Sequence, residues 1–324
     1  MMAEKELIAQ IRRLARVKRN LGVRIGIGDD CAVLRLQSGR GKPTDTLITT
    51  DFTLEGIHFR RDWHSAESVG HRCLVRGLSD IAAMGGKPVA AFLSLALPRD
   101  LAPNWVARFV RSLVAVAQRY GLTLAGGDTA ESPNGILADV IVIGTVPKEK
   151  SILRSGARPE DSVYVTGKLG GSAAAIAQMK KRPRKKLSPR QYRRHFFPEP
   201  RIEVARLLQE KGLASAMIDT SDGLSTDLTH ICQESGVGAE IHAKAIPRAS
   251  VGNPSREVEL EFALHGGEDY ELLFTAPGGK RVPPRIAGVP VTCIGQITRG
   301  RKVFLKDESG ARCKLQPEGW EHFR

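Results

Sequence analysis

The sequence predicts a protein of two α/β or α+β domains, and three observations carry that expectation. The chain has 324 residues, 41% of them hydrophobic, which is enough to bury two cores. Short β-branched runs alternate with amphipathic stretches of helical period in both halves. Proline and charge in VPKEKSILRSGARPED break that alternation near residue 148. The division is therefore expected between 1–147 and 148–324.

Each element follows from its own pattern. MMAEKELIAQIRRLARVKRN reads as an amphipathic helix; it has no apolar h-region or small-residue cleavage site and so does not read as a signal sequence. Residues 22–36 read as strand, turn and strand. DTLITTDFTLEGIHF is a β-branched run broken by acid and glycine, and AESVGHRCLVRGLSDIAAMG has helical apolar spacing. Strand VAAFLSLALP, a helix over 103–120, and strands LTLAGGDTAE and ADVIVIGTVP complete the first half. The second half reads as strand SVYVTG, a Gly/Ala-rich helix from 170, a helix over 201–212 and strand AMIDTSDG opening into a helix over 224–235. Strand YELLFTA follows.

Composition narrows the setting. No window approaches the roughly 20 apolar residues that a membrane span needs. The five cysteines (Cys31, Cys73, Cys232, Cys293, Cys313) are scattered and form no C-x-x-C pair, which argues against a zinc or disulfide framework and for a reducing, cytoplasmic setting. The net charge of +14 suggests nucleic acid. However, residues 180–194, KKRPRKKLSPRQYRR, hold nine Lys/Arg and no acid, and without them the net charge is +5. A proline-rich run of this kind reads as a solvated surface segment. Tyr192 is its one aromatic, so base stacking has little to work with.

The acids carry the chemistry. RIGIGDDC (24–31) has two close glycines after an apolar run, like a loop that cradles phosphate with backbone N–H groups. It then runs into two aspartates, which repel phosphate. The same pattern recurs: Asp30, Asp51, Asp128, Asp219 and Asp222 follow or interrupt apolar strands beside Gly, Ser or Thr. Asp80 lies inside a helix among small residues. A like-charge pair at ~4 Å costs roughly 4 kcal/mol at an effective dielectric near 20. Hard divalent cations relieve that cost and bring phosphates with them. The strand period of two puts Thr49 and Asp51 on one face and Thr50 on the other, and gives Asp29 and Asp30 different jobs.

The ordered motifs GIGDDCAVL, TTDFTLEGIHF, LSDIAAMGG, LAGGDT, RSGARPED, IDTSDGLSTDL, GGEDYELLFT and terminal GWEHF resemble the thiamine-monophosphate kinases, from about residue 6 to residue 323. That family belongs to a class of ATP-using enzymes typified by aminoimidazole ribonucleotide synthetase. The resemblance implies an N-terminal α/β domain that pairs strands across a homodimer, and a C-terminal α/β domain. It also implies Mg²⁺-dependent transfer of phosphate from ATP to thiamine monophosphate, by direct in-line displacement with no covalent nucleophile. Carried over motif by motif, Asp30, Thr49, Thr50, Asp51, Asp80, Asp128, Asp219 and Asp222 correspond to metal ligands. Gly127, Asp128, Arg154 and Ser221 correspond to ATP contacts, and His58, Glu268 and Trp320 to contacts with thiamine phosphate.

Departures from the family pattern are Phe52-Thr53, where apolar residues are usual, and Ala130 after GGDT; neither removes a ligand. Two other readings compete. One is another ATP-using member of the class; the hydrogenase-maturation dehydratase would need a cysteine at the C-terminus, and this chain ends WEHFR. The other is a nucleic-acid-binding protein acting through 180–194, which leaves the acids unexplained. Neither a membrane nor a nucleic-acid partner is expected.

Overall fold

A computed structural model describes residues 6, 8–11, 22–35, 43–182, 186–307 and 309–322. Most of the helix expected over 1–20 lies outside the described residues, as do 183–185 of the basic segment and Phe323 of the terminal motif.

The first half forms a six-stranded sheet. Its strands are β1 (Val23–Ile25), β2 (Ala32–Leu34), β3 (Thr44–Leu54), β4 (Lys87–Leu97), β5 (Thr123–Glu131) and β6 (Leu137–Pro147), in the order β1-β2-β3-β6-β4-β5. All neighbours are antiparallel except β4 and β5. On β3 the period of two is plain: Leu47, Thr49 and Thr53 are buried, while Thr50 and Phe52 are exposed.

Helices α1 (Ala66–Ala83) and α2 (Pro103–Arg119) cover the inner face. Ser65 caps α1 by accepting the Ser68 N–H at 3.3 Å, and Glu67 places negative charge at its positive end. Glycine then sets how close α1 lies. A Cβ at Gly70 would meet the Phe109 carbonyl oxygen of α2 at 2.2 Å, and one at Gly77 would meet Val142 Cγ2 of β6 at 2.6 Å. That approach brings Asp80, one turn further on, within reach of β3. Among the described residues the other face of the sheet has no such cover. Phe52 and Val89 are 55% and 46% exposed, and edge strand β5 is exposed along nearly its whole length.

The second half comprises β7 (Ser162–Thr166), α3 (Gly171–Lys181), α4 (Arg193–Phe196), α5 (Ile202–Glu210), β8 (Ala216–Asp219), α6 (Leu224–Ser235) and β9 (Gly238–His242). Short strands β10 (Ser250–Val251) and β11 (Arg256–Glu257), α7 (Leu260–His265) and β12 (Leu272–Ala276) follow. Last come β13 (Arg285–Ile286), β14 (Val289–Thr298), β15 (Val303–Lys306) and β16 (Arg312–Lys314). The main sheet runs β16-β15-β9-β14-β7-β12-β8, with β13 on β14. One apolar core joins the halves: Leu47 and Ile81 share it with Leu208, Met217 and Phe274. Helix α1 therefore lies in the seam, with sheet residues of both halves against it.

Strands β9, β14, β15 and β16 are not among the elements expected from the sequence. On β14 the reason is visible, since its burial recurs every third residue rather than every second. A bulge between Cys293 and Gly295 shifts the register, and a Cβ at Gly295 would meet the Glu240 carbonyl oxygen at 2.1 Å.

Candidate active site

Three elements converge on one group of acids. The loop after β1 supplies Asp30, the seam helix α1 supplies Asp80, and the end of β8 supplies Asp219. Their carboxylate oxygens lie within 4.8 Å of one another. Thr49 Oγ1 on β3 donates to Asp80 Oδ2 at 2.5 Å, and Ser79 Oγ donates to Asp219 Oδ2 at 2.6 Å. Burial, then the charges of Asp51, Asp219 and Asp30, push Asp80 well above the usual carboxylate range. Burial, then Asp30, push Asp219 up to about 7. Asp30 Oδ2 is buried without a hydrogen-bond partner. Close, mutually repelling carboxylates and an unused buried oxygen suit a hard divalent cation such as Mg²⁺.

Two arginines border this group. Arg154 Nη2 donates to Asp30 Oδ1 at 2.7 Å, while its backbone N–H is held by Asp29 at 3.3 Å. Asp29 and Asp30 thus do different work, one fixing the 154 backbone and the other facing the acids. On the other side, Arg76 Nη2 lies 3.3 Å from Asp51 Oδ1.

The acceptor residues named from the sequence gather beyond Arg76. Glu268 Oε1 accepts from Arg72 Nη2 at 2.6 Å and lies 3.7 Å from Arg76 Nη1. Burial would raise this carboxyl, but Arg72 and Arg76 outweigh it and hold it below its ordinary range. Glu268 has φ +65° and Tyr270 φ +51°. Their N–H groups donate to Ser221 and Thr220 carbonyls at 2.8 and 3.0 Å, which pin GGEDYE to IDTSDG and hold the strained backbone. Burial, then Arg76, push His58 down to about 3. Its Nδ1 accepts the Leu54 N–H at 2.9 Å, which leaves the proton on Nε2. The Trp320 backbone N–H donates to the Asp222 carbonyl at 3.0 Å, and the His322 ring stands between those of Trp320 and His58, at 5.7 and 5.5 Å.

Not every expected residue joins these groups. The Thr50 side chain is on the open face of the sheet, donating to Asp139 Oδ1 at 2.7 Å. Gly127 and Asp128 are on exposed β5, where Asp128 pairs across to Ser94 and Ser94 to Asp139. Gly127 lets β5 approach β4, since a Cβ there would meet the Leu93 carbonyl oxygen at 1.8 Å. The expected metal ligands are thus split between two faces. Asp222 sits in the turn before α6, beside buried Asp227, which accepts the Gly223 N–H at 3.0 Å.

Sequence reasoning missed Arg72, Arg76, Ser79 and His322. The spacing of Arg72, Arg76 and Asp80 at every fourth residue marks one face of a helix and was the available signal. Tyr192, the aromatic of the basic segment, is buried against Ala175, Met179 and Phe196, and so is withdrawn from base stacking. Among the described residues no helix is long and apolar enough to cross a membrane.

Comparison with known proteins places the chain in a family. Residues 28–146 match the N-terminal domain of AIR synthase related proteins, and residues 158–308 match the C-terminal domain. The thiamine-monophosphate kinase of Escherichia coli K12 is 39% identical over 331 residues, covering 99% of this chain and 98% of that protein. The chain belongs to the thiamine-monophosphate kinase family. The Bacillus subtilis member is 33% identical over the whole of both chains. A solved structure of AaThiL complexed with AMPPCP and TMP superposes with a TM-score of 0.84 at 33% identity, covering 99% of this chain and 97% of the other. The two-domain AIR synthase-like fold anticipated from the motifs is the fold observed.

Proposed function

We propose that this protein is a kinase that transfers the γ-phosphoryl group of ATP to the phosphate of thiamine monophosphate, giving thiamine diphosphate. The observation that carries the reading is the group Asp30, Asp80 and Asp219 within 4.8 Å, with Asp51 linked through Arg76 to Glu268. Family membership supports the substrate pair, as does the relative solved with AMPPCP and TMP. Residues 1–147 would supply most metal and nucleotide groups, and 148–324 would complete the substrate site.

Asp30, Asp51, Asp80 and Asp219, with Thr49 and Asp222 beside them, would hold Mg²⁺. When bound, the metal neutralises the acids and the phosphates together. Arg154, beside Asp30, and Ser221 would contact the nucleotide. The acceptor is a phosphate whose attacking oxygen is already ionised, so no general base is needed and the chain's work is alignment. His58, held neutral, offers its Nε2–H as a donor rather than a charge. Glu268 and the face of Trp320 suit a cationic thiazolium and a flat pyrimidine. The tail carrying Trp320 and His322 lies over His58 and would exclude water from the acceptor.

A second copy of the chain would cover the open face of the first sheet. Exposed Phe52, Val89 and edge strand β5 support that dimer, and Thr50, Gly127 and Asp128 would then act from the covered face. The test is to incubate purified protein with ATP, Mg²⁺ and thiamine monophosphate. Thiamine diphosphate should accumulate only when all three are present. ATP consumed without that product, or phosphorylation of free thiamine in its place, would refute the assignment.

A further inference from the structure

We propose that Arg76 binds the phosphate of the acceptor, as Arg154 does for the nucleotide; the proposal rests on the acceptor being thiamine monophosphate. Arg72, Arg76 and Asp80 follow one another at successive turns of α1 and face the seam between the sheets. The two arginines are engaged very differently. Arg72 is 4% exposed and saturated: Nη2 donates to Glu268 at 2.6 Å and Nη1 to the His195 carbonyl at 2.5 Å. The Arg76 contacts are all long, 3.3 Å to Asp51, 3.3 Å to the Tyr270 hydroxyl and 3.7 Å to Glu268. Charge-assisted N–H···O bonds ordinarily close to about 2.7–2.9 Å. The Arg76 Nε is also buried with no hydrogen-bond partner.

Charge balance points the same way. Arg72 already matches Glu268. Asp51 belongs to the metal-binding side, and a divalent cation there would withdraw it from Arg76. That leaves the partly buried Arg76 guanidinium with spare donors, between Asp51 and the group of His58, Glu268 and Trp320. A phosphate dianion has the charge and the oxygen spacing to fill that place, and a planar guanidinium binds it in bidentate fashion. Arg76 thereby becomes the group that distinguishes thiamine monophosphate from unphosphorylated thiamine.

Calorimetric titration of wild type, Arg76→Gln and Arg76→Lys with thiamine monophosphate and with thiamine, all with Mg²⁺, tests this. Wild type should favour the phosphorylated ligand. In Arg76→Gln the Kd for thiamine monophosphate should rise about 10- to 150-fold, the range for a hydrogen bond to a charged group. Thiamine should bind equally well or more tightly, because a cation has been removed near a cationic ring. Arg76→Lys should recover part of the loss, and the KM for ATP should stay near wild type. Equal weakening of both ligands would make Arg76 a structural tether, and unchanged thiamine monophosphate binding would remove it from the site; either overturns the proposal. If Arg76→Gln does not fold, the same comparison is read on Arg76→Lys, where a weaker hold on thiamine monophosphate with thiamine binding kept supports the proposal, and unchanged binding of both ligands or equal loss of both overturns it. Wild-type protein that binds neither ligand and forms no thiamine diphosphate would refute the kinase reading itself.

Discussion

At the scale of single residues, the account rests on carboxylates kept close at a cost. Burial and like charge hold Asp80 and Asp219 protonated more readily than ordinary acids, so a cation must supply the energy that ionises them together. Replacing Asp80 or Asp51 by Asn keeps the shape and deletes one charge from that balance. Each variant should lose at least about 100-fold in turnover, the scale expected for losing one charge at a phosphoryl-transfer centre. Their thermal unfolding should match or exceed that of wild type, because a repulsion has been removed. Turnover near wild type at moderate Mg²⁺ in both variants would show that these acids hold no metal. Glu268→Gln and Trp320→Ala test the other side of the site. Both should raise the KM for thiamine monophosphate roughly 5- to 150-fold, for contacts of ~1–3 kcal/mol, and leave the KM for ATP nearly unchanged. An equal rise for ATP would mean that they are not acceptor contacts. The pairing of Glu268 with two arginines makes Trp320→Ala the cleaner of the two, because Glu268→Gln also frees Arg72.

At the scale of elements, a buried histidine pair ties the loop before α1 to α4. His64 Nε2 and His195 Nε2 are 2.9 Å apart, and His195 Nδ1 meets Ser172 Oγ at 2.9 Å. Burial, then Arg72, push His64 down to about 4 and His195 well below its ordinary range. A histidine whose folded pKa is depressed must take a proton on unfolding. Its stabilisation is therefore complete above pH ~6.5 and is lost as pH falls through ~4. Half-buried Asp29 and buried Asp269, raised to about 7, favour the folded state in the opposite sense, toward low pH. Comparing variants isolates the histidine. Unfolding temperatures of His64→Gln should fall less steeply than wild type between pH 6.5 and 4, and an identical acid slope would contradict the assignment.

The same scale shows what was legible in the sequence. Helix α1 and strands β3, β4 and β6 were readable because apolar period and secondary structure coincide there. So was Thr50, whose place on the far face follows from the strand period alone. His195 was not readable, since its meaning comes from partners on distant elements; for Arg76 only the shared helix face with Asp80 was. β14 was hidden because a bulge replaces alternation with a period of three.

At the scale of the molecule, the basic segment supplies most of the net charge. Lys180, Lys181, Arg182, Lys186 and Arg190 are exposed, and exposed charges contribute little to stability. Its end is different: Arg193 pairs with Glu199 at 2.9 Å, and Arg194 with fully buried Glu271 at 2.6 Å. Neutralising the five exposed cations should leave thiamine monophosphate turnover within a few-fold, whereas Arg194→Gln should lower stability modestly, because Glu271 loses one charged donor but keeps its paired Arg201. Loss of turnover from the five-fold variant, with the fold intact, would mean that the segment reaches a substrate.

The central claim is that phosphate passes straight from ATP to the acceptor phosphate, aligned by the aspartates in the seam of the two halves. A rapid-quench single turnover with ATP labelled in its γ-phosphate, Mg²⁺ and thiamine monophosphate measures this most directly. Label should move from ATP into thiamine diphosphate with none on the protein at any time, and folded Asp80→Asn should transfer none. Labelled protein that chases into product, or undiminished transfer by Asp80→Asn, would contradict it.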